Sequence, residues 1–132
     1  MGSWAYDSFD NDDALDWVAD LEESVGSNSI VEALAGVTNE ADDYLEASEC
    51  AMAIAAAEVV AALAGHRPST LPEGVLEWLE GKKDPNLELR TKAQDAIDAV
   101  VNDSELKEQM EENKEDFPKW LDYLAQLRTR LD

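Results

Sequence analysis

No lysine or arginine occurs before Arg67, although fifteen of the 31 acidic residues lie in those first 66 positions. The formal charge divides as −15 and −6, summing to −21. A surface this negative repels nucleic acid and anionic lipid, and draws in basic protein surfaces or cations. The sole cysteine, Cys50, excludes an intramolecular disulfide. With His66 the sole histidine, the usual four-ligand zinc set cannot be assembled within the chain, and no Glu-x-x-His pair exists for a carboxylate-bridged di-metal bundle. Long apolar runs are also missing. The longest, Cys50 to Ala64, is interrupted by Glu58 and is too short to cross a bilayer. The start Met1-Gly2-Ser3-Trp4 lacks the regions of a signal peptide, and Tyr6 stands where a myristoylation motif wants Ser or Thr. A cytoplasmic address is therefore expected. There is no Gly-rich phosphate loop, no nucleophile elbow and no basic stripe with interleaved aromatics.

What remains is a folded, helical chain. An apolar fraction of 45% with four Trp argues against disorder, and 132 residues suit one domain, expected to span 1–132. Asp10 to Glu23 places Ala14, Leu15, Trp17, Val18 and Leu21 at the spacing of one helical face, with Asp10 as N-cap and Phe9 as a staple. Gly26-Ser27-Asn28-Ser29 breaks that helix, and a short one is predicted over Ile30–Ala35, closed by Gly36. A long Ala-rich central helix is predicted over about 40–64, stopped by Gly65. On it Asp42, Glu46, Glu49 and Ala53 fall on one stripe, opposite Tyr44, Ala51, Ala55, Val59 and Ala62. Thr70-Leu71-Pro72-Glu73 is a capping box opening a helix through Val75, Leu76, Trp78 and Leu79. Asp84-Pro85 opens the next, and Asn102-Asp103-Ser104 resets the chain into an amphipathic segment with Leu106 and Met110. A last helix carries Phe117, Trp120, Leu121, Leu124, Leu127 and Leu131. No run alternates with period two, so the predicted class is all-α, a bundle of six or seven helices.

The opening Met1-Gly2-Ser3-Trp4, followed by Phe9-Asp10-Asn11-Asp12-Asp13-Ala14-Leu15-Asp16-Trp17, resembles a bacterial family known only as a domain of unknown function. Its members start Met-Gly-x-Trp-Gly and continue through Phe and an Asn/Asp-rich run into Ala-x-Asp-Trp; Ala5 stands where the family has Gly. Softer similarity runs through Glu49-Cys50-Ala51, Ala57 to Ala62, Leu71-Pro72 and Asp103 to Leu106. The resemblance implies a fold and carries no established activity.

Candidate chemistry is sparse. Asp10, Asn11 and Asp12 superficially match a calcium loop, but Ala14, Leu15 and Leu21 stand where a ligand, Gly and Glu are needed. The reading adopted is helix capping and a solvated acidic turn, with no metal site, no cofactor and no catalytic residue assigned. Glu58 lies amid Ile54, Ala55, Ala61 and Ala62, so its carboxylate is expected to be a structural buried acid. Its partner should be an Arg such as Arg67, Arg90 or Arg128, or a Trp or backbone donor. Cys50 reads as an inert packed thiol and His66 as an end-of-helix residue. Charge alone then suggests a non-enzymatic acidic protein docking a basic protein partner through Asp7, Asp10, Asp12, Asp13, Asp16, Asp20, Asp42, Glu46 and Glu49. A toxin-neutralising protein or a nucleic-acid mimic would fit. The alternatives are an acidic housekeeping domain for packing or oligomerisation and, with least support, a carboxylate-metal enzyme.

Overall fold

The computed structural model describes residues 12–23, 28–38, 45–65, 73–79, 87–102, 104–112 and 114–131, with no side-chain description for 12, 13, 28, 73 and 74. Among the described residues there are seven helices and no strand: α1 (Asp12–Glu23), α2 (Asn28–Thr38), α3 (Ala47–Leu63), α4 (Glu73–Leu79), α5 (Leu87–Asn102), α6 (Glu105–Glu111) and α7 (Phe117–Arg130). The chain is all-α, as its 3.6-residue periodicity predicts. No described helix is long and apolar enough to cross a membrane.

Helix α3 is the axis of the bundle, packing against every other helix. From Ala53 to Ala62 its residues are buried on all sides, as suits a helix that is apolar all round. The small Ala side chains let neighbouring backbones approach closely. Buried residues of all seven helices join in one contiguous core, including Trp17, Trp78 and Trp120. Phe117 stacks on Trp120 with ring centroids 6.1 Å apart. Gly65, at φ +94°, ends α3 by donating its N–H to Ala62 O at 3.0 Å, a backbone conformation that glycine adopts without strain.

Four expectations are corrected. The central helix starts at Ala47, with Leu45 and Glu46 non-helical and Glu46 extended at the N-cap. Long-range bonds hold that entry: Glu105 N donates to Leu45 O at 2.9 Å, and Ala47 N donates to Glu105 Oε1 at 2.8 Å. The expected helical stripe of Asp42, Glu46, Glu49 and Ala53 is therefore broken, since Glu46 lies extended ahead of the helix and Asp42 lies outside the described residues. Helix α2 runs through Gly36 to Thr38 instead of closing at Gly36. Leu15 and Leu76, read as core-facing, are exposed, Leu15 by 47%. The first helix begins at Asp12, and Asp10 and Phe9 lie outside the described residues, as do Asp84 and Pro85.

A Cβ added at Gly36 would meet Glu49 Oε2 at 3.8 Å, an ordinary contact. Gly36→Ala should therefore stabilise the protein by roughly 0.5–1 kcal/mol through helix propensity. Thermal unfolding checks this, and a lower melting temperature would contradict it.

Candidate functional site

The described acids of the leading half project mainly from α1. Ala14, Trp17, Val18 and Leu21 turn inward, and Trp17 Nε1 donates to Ser29 O at 3.3 Å, tying α1 to the start of α2. That orientation leaves Leu15, Asp16, Ala19, Asp20, Glu22 and Glu23 exposed. Asp16, Asp20 and Glu23 follow at intervals of four and three residues, which makes one outward stripe. No base stands in the last turn of α1, α2 or α3. Glu22 and Glu23 thus sit at the end of α1 where the helix dipole disfavours negative charge. Among the described residues no ion pair engages Asp16, Asp20, Glu22, Glu23, Glu32 or Glu46.

Of the nine acids singled out from sequence, the structure brings Asp16 and Asp20 together on α1, and Glu46 and Glu49 together at the start of α3. Glu46 is exposed and Glu49 half-buried in the first turn, where the dipole favours a carboxylate. Asp12 and Asp13 belong to the first turn of α1 by their backbone. Their side chains, together with Asp7, Asp10 and Asp42, lie outside the described residues. Among the described residues no group of three or more His, Cys, Asp or Glu could hold a metal ion.

Glu58 is fully buried. Its two carboxylate oxygens are served from α7: Tyr123 Oη donates to Oε2 at 2.9 Å, and Arg130 Nη1 donates to Oε1 in an ion pair. The arginine differs from those expected, because Arg128 lies on another side of α7 and grips Asp98 of α5 through Nε and Nη2, at 2.9 and 3.1 Å. Arg67 lies outside the described residues. Sequence reasoning missed Tyr123 and Arg130, although their seven-residue separation aligns them on one helical face, close to the core residues Leu124 and Leu127.

Cys50 is buried where α3 meets the start of α6. Beside it Ser104 Oγ donates to Val100 O at 2.7 Å and accepts from Lys107 N at 3.0 Å, capping α6. Burial pushes the thiol up from 9.0 to about 11. The folded state then holds its proton in a range where the unfolded chain has lost it, so this contribution to stability falls as pH rises from 9.0 to about 11. Urea unfolding across that range should show a steeper alkaline loss for wild type than for Cys50→Ala. Equal slopes would contradict the assignment.

An open cleft of about 450 Å³ lies between α2 and α5. Its floor is Val37, Leu45 and Ala99, and Thr38, Asp95 and Asn102 stand around it, with Asp98 adjoining.

A helical bundle built on an Ala-rich axis, with exposed acids along α1 and a buried acid neutralised from α7, defines the structural class. The chain belongs to the family described as domain of unknown function DUF4259, which matches residues 2–122. Comparison with curated proteins and with solved structures finds no match.

Proposed function

We propose that the protein is a non-enzymatic acidic binding protein of the bacterial cytoplasm that docks a basic protein partner, in the manner of a toxin-neutralising protein or a nucleic-acid mimic. The observation carrying this reading is the outer face of α1, where Asp16, Asp20, Glu22 and Glu23 are exposed without a base on the helix. Two of them stand against the helix dipole, so helix stability gives no reason for their placement. A partner's lysines and arginines would relieve that conflict on binding. Electrostatic complementarity of this kind raises association rates and sets orientation more than it sets raw affinity. Asp7, Asp10, Asp12, Asp13, Asp42, Glu46 and Glu49 belong to the same proposal as further contributors to the attracting field.

Affinity capture from native lysate at low salt, with identification of what elutes as salt rises, tests the reading. A basic protein released by salt supports it. Captured proteins that are acidic, or retention indifferent to salt, would contradict it.

A further inference from the structure

We propose that the cleft between α2 and α5 is a subsite for a single lysine or arginine side chain of that basic partner; the inference rests on the docking reading and assigns it a second contact point. Two helices end at this cleft, since Val37 and Thr38 are the last residues of α2 and Asn102 the last of α5. A helix C-terminus carries partial negative charge, and neither helix has a base in its last turn. Asp95 and Asp98 add two carboxylates from one face of α5.

The two carboxylates differ in occupancy. Asp98 already holds the guanidinium of Arg128 through paired bonds of 2.9 and 3.1 Å, an arrangement selective for a planar cation. Asp95, one turn earlier, has no ion pair among the described residues. Lys107 Nζ reaches Asn102 O at 3.4 Å, so the end of α5 is already partly served, and the end of α2 and Asp95 carry the attraction. The floor supplies what a small inorganic ion would not use. Val37 and Leu45 are buried beneath it, and the half-buried Thr38 and Ala99 offer their methyl groups to the stem of a long basic side chain while its head stays at the acidic rim.

The test is an NMR titration of the full chain at low salt with the acetylated, amidated peptide Lys-Ala-Lys-Ala-Lys. Saturable shifts of Val37, Thr38, Leu45, Asp95 and Ala99 amides are expected. Asp95→Asn should weaken binding about two- to fivefold, the scale of one exposed ion pair, and Glu111→Gln, an exposed acid of α6 removing the same charge, should weaken it less. Shifts confined to α1 would overturn the subsite while leaving the docking reading intact. Absence of shifts anywhere would overturn both. Equal losses for Asp95→Asn and Glu111→Gln, or reproduction of the cleft shifts by sodium chloride at matched ionic strength, would overturn the subsite by reducing it to bulk charge.

Discussion

Arg130→Met is expected to destabilise the protein by about 3–5 kcal/mol, the usual consequence of removing one member of a buried ion pair and leaving the other charged. The expected fall in melting temperature is roughly 10–20 °C for a chain of this length. The cause is local. Glu58 is inaccessible to water, and Tyr123 Oη, which also donates to it, carries no charge. Arg130 is itself only 23% exposed, so solvent screens the pair weakly. Arg128→Met is the informative contrast. Its carboxylate partner Asp98 is nearly half exposed, and the loss should stay within about 1 kcal/mol. Replacing both Glu58 and Arg130 with Met removes the stranded charge and should recover most of the stability lost in Arg130→Met. Urea denaturation of the four proteins decides. Equal effects of Arg128→Met and Arg130→Met would contradict the assignment of Arg130 as the neutralising group.

The second large effect concerns association. Asp16→Lys combined with Asp20→Lys changes the charge of the α1 outer stripe by four without touching a buried group. Stability should stay within about 1 kcal/mol of wild type, since exposed substitutions away from caps and cores have small effects. New lysines four and three residues from acids on the same helix offset what little is lost. Association with a captured basic partner at low salt should slow by at least about tenfold, because steering fields act on the encounter rate. A variant that folds as well as wild type and associates more slowly separates docking from folding.

Helical class was legible because α1, α5 and α7 carry their apolar residues at three- and four-residue intervals, a pattern no strand can present to one side. The same patterning placed Trp17, Trp78 and Trp120 in the core, where they are found. Where periodicity disappears, so does legibility. The Ala-rich segment from Ala47 to Leu63 is apolar all round, so neither its start nor its exposed side is written in its pattern. Its entry is set by Glu105, 58 residues from Ala47, a contact without local signature. Gly36 misled because glycine is a common helix stop, yet α2 continues through it to Thr38 with no positive φ at that position.

For the candidate site, the need of Glu58 for a cation followed from burial chemistry, but the choice among arginines required the rotation of α7 relative to α3. Arg130 and Arg128 lie two residues apart, about 200° around the helix, and so serve different neighbours. The dipole conflict at Glu22 and Glu23 was readable in principle, since it needs only the helix end and the absence of a following base. The cleft was not, because its walls come from residues about 60 positions apart in the chain, brought together only by the packing of α2 on α5.

The proposed docking depends on negative charge at the outer face of α1 acting on a positively charged protein. Its most direct test is the association rate of the captured partner with wild type and with the Asp16→Lys, Asp20→Lys protein, from about 0.02 M to about 0.3 M salt. Wild type should be fast at low salt and slow steeply as salt rises, with the variant slow throughout and the two converging at the upper end. Identical rates for both proteins at every salt concentration would contradict the claim.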